Sequence, residues 1–100
     1  MSVNETVLQQ SVERLMPARS FEESLAKLLL LQARRNLLKY QTMDRGFQKK
    51  YQSTFERFRA ERVGSPMPFE VEQDYFDWEL AITGIDEMRE EIERLEEFLP

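Results

Sequence analysis

From Ser20 to Ser65 the chain contains no proline, and along that stretch Ala26, Leu30, Ala33, Leu37, Tyr40, Asp44, Phe47 and Tyr51 recur at spacings of 4-3-4-3-4-3-4. A repeat averaging three and a half residues is the seam of a helix that packs lengthwise on another. Pro66-Met67-Pro68 interrupts it, because proline lacks the amide a helix interior needs. A second proline-free stretch then carries Val71, Tyr75, Trp78, Ile82, Ile85, Met88, Ile92, Leu95 and Leu99 along one side. Its repeat loses a residue at Ile85, beside Gly84, which predicts a local overwinding or a bend. Two long amphipathic stretches of nearly equal length joined by a compact connection predict an all-α antiparallel helical hairpin. The first helix would be about 46 Å long at 1.5 Å per residue. In the expected register Gly46 falls near Trp78, while Arg35, Lys39 and Arg45 run past Glu79, Asp86 and Glu87.

Local signals mark the ends. Ser20 and Glu23 form a capping box at the start of the first long helix, and Ser53 with Glu56 forms another ahead of a short helix whose Phe55, Phe58 and Val63 face one way. Residues 4–16 read as a separate amphipathic helix capped by Asn4, with Val7, Leu8, Val12, Leu15 and Met16 on one face, ended by Pro17. At this length an isolated helix is marginal in water, so its apolar face is expected to dock on its own domain or on a sister subunit, a foreign partner being the alternative. The domain plan is thus an N-terminal segment, 1–19, and a hairpin domain, 20–100.

Eight of the eleven aromatic residues fall between Phe47 and Trp78. Phe47, Tyr51, Phe55, Phe58, Phe69, Tyr75 and Trp78 are predicted to form the hub of the hairpin. Asp44 stands in the seam where an apolar residue is expected. A buried carboxylate there must capture a tyrosine hydroxyl, an indole N–H or an arginine, with Gly46 making room for a ring; the alternative is a polar pocket. A second stripe of Leu25, Leu28, Leu31 and Leu38 widens the apolar face beyond what one partner helix covers. It predicts an isologous homodimer in a four-helix arrangement with these leucines at the interface.

Composition narrows the chemistry. The chain has neither cysteine nor histidine, which removes disulfides, thiolate metal sites and the commonest general base. No cofactor or metal is expected. Glu22-Glu23 is followed by Ala26 and Glu90-Glu91 by Arg94, so neither run supplies the paired carboxylates of a magnesium-dependent nucleotide pyrophosphatase, and Asp74 with Asp77 flanks the aromatic face. A metal-dependent hydrolase is therefore a remote alternative. The longest unbroken apolar run is Leu28 to Leu31, too short to span a membrane, and the amino terminus has no secretory pattern. A cytoplasmic location is expected. The net charge of −5 argues against nucleic acid as main partner. That charge is uneven. Residues 20–63 carry ten basic and five acidic side chains, whereas 64–100 carry two and twelve.

The segments Phe47-x-x-Lys50-Tyr51-x-x-Thr54-Phe55-Glu56-x-Phe58 and Phe69-Glu70-Val71-Glu72-x-Asp74-Tyr75-x-x-Trp78-Glu79-x-Ala81 resemble a small prokaryotic all-helical family encoded beside small toxin-like proteins and described as antitoxin-like. The resemblance spans roughly residues 25–95. Gln52 stands where the family has glycine after the Lys-Tyr pair, which implies a longer first helix, and Phe76 replaces a more polar residue. The resemblance implies a non-enzymatic protein-protein interaction module that neutralises a partner toxin by covering it. A structural coiled-coil adaptor is the alternative. A basic partner would be steered by the acidic run near the carboxyl end, at Glu90, Glu93 and Glu97.

Overall fold

A computed structural model describes residues 3–62 and 64–100, and every regular element among them is helical. α1 is Val3–Leu15, α2 is Phe21–Tyr51, α3 is Phe55–Arg62 and α4 is Phe69–Phe98. Contacts divide the chain into two units, one of residues 1–35 with 90–100 and one of residues 36–89.

In the first unit α2 opens on a cap close to the expected one. Ser20 Oγ accepts the Glu23 amide at 3.1 Å, but the Glu23 carboxylate reaches back to the amide of Arg19, at 3.1 Å, one residue before Ser20. Ser24 Oγ donates to the Ser20 carbonyl, and Ser24 is fully buried; the seam residues Ala26, Leu30 and Ala33, on the other side of α2, are buried as well. Arg34 pairs with Glu96 at 3.6 Å, and a shallow groove is lined by Ser20 and Glu23 together with Glu97 and Leu99. Low numbers on α2 therefore meet high numbers on α4, and the two segments run antiparallel. α1 starts at Val3, so Asn4 lies inside the helix and is not its cap. Of its expected docking face only Val12 and Met16 are half-buried, and Val7, Leu8 and Leu15 are exposed.

In the second unit the carboxyl half of α2 meets the amino half of α4, again antiparallel: Tyr51 bonds Asp74, Asp44 bonds Trp78, and Tyr40 lies against Gly84. Trp78 is met from α2 by Asp44, Phe47 and Tyr51, which places it level with Gly46 as the expected register has it, although Gly46 itself is not what it touches. α2 ends at Tyr51 because Gln52 adopts a left-handed conformation, φ 49°, and the Ser53 amide bonds back to the Gln48 carbonyl at 3.3 Å. That is a Schellman stop, built here without glycine. The substitution of Gln52 for glycine therefore does not lengthen the helix. α3 is capped by Thr54, whose Oγ1 accepts the Arg57 amide at 3.2 Å, and not by Ser53. Val63 lies outside the described residues. α4 continues without interruption through Gly84.

Candidate interaction surfaces

The seam of α2 and the expected face of α4 bring six of the seven hub aromatics together. Trp78 is fully buried and Phe58 nearly so; Phe47 and Tyr51 stack on the indole at 5.6 and 6.0 Å, while Phe55 meets it edge-on at 5.4 Å. Tyr75 packs on Phe55 and Phe58, and Val71 and Ile82 complete the cluster. Arg62 lies over the Phe58 ring at 4.6 Å and covers the cluster from solvent. Phe69 is the exception. It is 83% exposed in the first turn of α4 and takes no part in the hub.

The indole N–H is the polar liability of this cluster, since a buried donor without a partner costs about 1–3 kcal/mol. Asp44 meets it: Trp78 Nε1 donates to Asp44 Oδ1 at 2.8 Å, and Gln48 Nε2 donates to the other carboxylate oxygen at 2.9 Å. The carboxylate in the apolar seam is thereby explained. Asp44 also borders a groove of about 340 Å³ lined by Gln41, Arg45, Ile82, Ile85, Asp86 and Arg89. Gly46 does not make room for a ring; nothing lies within 4 Å of where its Cβ would stand. Gly84 has that role, with the Tyr40 ring laid directly on its backbone. The sequence signal was present in the lost residue of the repeat at Ile85, but it reported a close approach and no break in the helix.

Asp74 anchors the junction of α2 and α4. Its carboxylate accepts hydrogen bonds from Lys50 Nζ at 2.6 Å and from the Tyr51 hydroxyl at 2.5 Å. The Lys50 bond, followed by that of Tyr51, holds the Asp74 carboxyl below its usual range. The bond to Asp74 likewise raises Lys50, and burial foremost raises the Tyr51 phenol. Lys50 also reaches Glu70 at 3.4 Å. Among the described residues no three carboxylates are grouped to hold a metal ion.

Among the described residues, three further surfaces are uncovered besides Val7, Leu8 and Leu15 of α1. On α2, Leu28, Leu31 and Leu38 are exposed and Leu25 is half-buried, on the side of the helix opposite the buried seam. On α4, Phe69, Phe76 and Leu80 are 83, 54 and 58% exposed, and their 7-4 spacing puts them on one face. Glu90, Glu93 and Glu97 are exposed toward the carboxyl end of α4, whose last turn holds no basic residue. The expected pairing of Arg35, Lys39 and Arg45 with Glu79, Asp86 and Glu87 does not form. Arg34 with Glu96 and Lys50 with Glu70 and Asp74 make the ion pairs between α2 and α4 segments, and Arg45 turns to Thr42. Among the described residues no helix is long and apolar enough to cross a membrane. Comparison with protein-family models gives no match, and comparisons with curated proteins and with solved structures give none either.

Proposed function

We propose that this protein is a non-enzymatic interaction module that pairs with itself and holds a basic protein partner, acting by covering surface rather than by chemistry. The observation that supports this most is the apolar outer face of α2. A helix apolar on two opposite sides is ordinarily buried on both, and here Leu28, Leu31 and Leu38 face outward while the seam is packed. Four-helix pairing of two copies would cover them. The polar centres found at the hub fit the same reading: Asp44 and Asp74 are engaged by Trp78, Gln48, Lys50 and Tyr51 and hold the fold together.

The antitoxin-like resemblance adds the kind of partner, a small protein encoded beside this one and neutralised by being covered. Glu90, Glu93 and Glu97 suit a basic partner for a second reason. Glu97, in the last turn of α4, opposes the helix dipole by roughly 0.3–1 kcal/mol, and a docked cation relieves that. The test is association kinetics of the adjacent gene's product with the immobilised protein at two ionic strengths. Charge reversal at Glu90, Glu93 and Glu97 should slow association at low salt while leaving helicity unchanged. Equal rates for variant and wild type would make this face ordinary solvated surface and favour the coiled-coil adaptor.

A further inference from the structure

The exposed apolar faces of α2 and α4 differ in one respect that decides what each can seat. From Leu25 to Arg45, α2 carries Lys27, Arg34, Arg35, Lys39 and Arg45 against a single acid, Asp44, which is turned to Trp78. From Phe69 to Leu80, α4 carries Glu70, Glu72, Asp74, Asp77 and Glu79 and no basic residue. At about 100° per residue, Arg35 and Lys39 lie within the Leu28–Leu31–Leu38 face. Glu72 and Glu79 border the Phe69–Phe76–Leu80 face on one side, and Glu70 and Asp77 on the other. Among the described residues, neither Arg35 and Lys39 nor Glu72 and Glu79 form an ion pair. The faces also match in length, about 15 Å from Leu28 to Leu38 and about 16 Å from Phe69 to Leu80.

Pairing either face with its own kind would set the basic residues within the α2 face against basic ones, or the acidic borders of the α4 face against acidic ones. Only the crossed pairing unites two apolar stripes with opposite charges. We infer that the α2 face of one copy seats on the α4 face of a second copy, Leu28, Leu31 and Leu38 against Phe69, Phe76 and Leu80, with Arg35 and Lys39 meeting Glu72 and Glu79. The α4 face is preorganised for this, because the Phe76 ring rests edge-on against Tyr75, which is packed in the aromatic cluster. The inference rests on the self-association proposed above and specifies its surfaces. It also accounts for Arg35 and Lys39 forming no ion pair among the described residues.

Charge exchange tests it. One variant carries Arg35→Glu and Lys39→Glu, the other Glu72→Lys and Glu79→Lys; Arg35, Lys39 and Glu72 are exposed and Glu79 is half-buried, and circular dichroism checks that helicity is kept. Sedimentation velocity is run on wild type, on each variant and on their equimolar mixture. Each variant alone should self-associate at least about tenfold more weakly than wild type, since every crossed contact in it sets like charges together. The mixture should recover wild-type association, because both crossed contacts in the mixed pair are again complementary. If the Glu72→Lys, Glu79→Lys variant associates like wild type, the interface is α2 on α2; if the Arg35→Glu, Lys39→Glu variant does, it is α4 on α4. Either result overturns the crossed pairing while leaving the self-association reading intact. Failure of the mixture to recover also overturns it, and a monomeric wild type overturns both readings.

Discussion

Replacing each of the two helical glycines with alanine should give opposite results. Both lie in helix interiors, where alanine is favoured over glycine by about 1 kcal/mol. At Gly46 nothing stands within 4 Å of the added Cβ, so Gly46→Ala should stabilise by about that amount. At Gly84 the added methyl would sit 2.6 Å from two carbons of the Tyr40 ring and 2.8 Å from a third. A rigid ring pressed on a helix backbone has no flexible end to withdraw, and overpacking of this kind costs about 1–3 kcal/mol. The helix gain offsets part of that, leaving Gly84→Ala roughly 0–2 kcal/mol less stable than wild type and about 1–3 kcal/mol less stable than Gly46→Ala. Urea unfolding at one fixed protein concentration, followed by Trp78 fluorescence and by circular dichroism, measures the difference. Adding Tyr40→Leu to Gly84→Ala should recover part of the loss, since the obstruction is the ring. If Gly84→Ala stabilises as much as Gly46→Ala, the Tyr40 contact and the antiparallel register around it are wrong.

Trp78→Ala removes the centre of the aromatic cluster and should cost about 3–5 kcal/mol, whereas Asp44→Ala, which strands the indole N–H, should cost about 1–3 kcal/mol; melting of either variant within a degree or two of wild type contradicts the hub. Gln52→Gly relieves a left-handed residue and should stabilise by up to about 1 kcal/mol, with an unchanged denaturant slope. Asp74 is held low, so its contribution is full above the unfolded value near pH 4 and is lost as pH falls through the folded one; Lys50 and Tyr51 are held high, so theirs is full below about pH 10 and is lost as pH rises through their folded values. Unfolding midpoints across acid, neutral and alkaline pH should therefore fall at both ends, and Asp74→Asn should flatten both limbs; unchanged limbs would mean the Asp74 network contributes nothing.

The parts of this fold that were legible in sequence are those set by periodicity. The 4-3 seam of α2 and the matching face of α4 predicted which residues are buried, and Asp44 was readable because a carboxylate in an apolar seam beside a tryptophan must be satisfied. What escaped notice depends on three-dimensional fit. Gly46 and Gly84 look alike in sequence, and only the position of Tyr40 separates them. Phe69 begins α4 too early to reach the cluster, so an aromatic inside the aromatic-rich stretch ends in solvent. Ser24 gave no apolar signal, yet its hydroxyl bonds its own helix and lets the side chain be buried. Ion pairs were the least readable, because the register of two helices does not decide which way long, exposed side chains turn: Arg45 bonds Thr42 on its own helix. The leucine face of α2 was visible as apolar excess; of the α4 face only Phe69 was assigned to the hub, and it stands exposed with Phe76 and Leu80.

The most direct measurement of the central claim, that uncovered apolar helix faces make this chain a self-pairing module, is sedimentation equilibrium of the untagged protein at micromolar concentrations. The account predicts a mass near twice that of the 12.0 kDa chain, shifting toward the chain mass on dilution. A single species of 12.0 kDa at every concentration would contradict it.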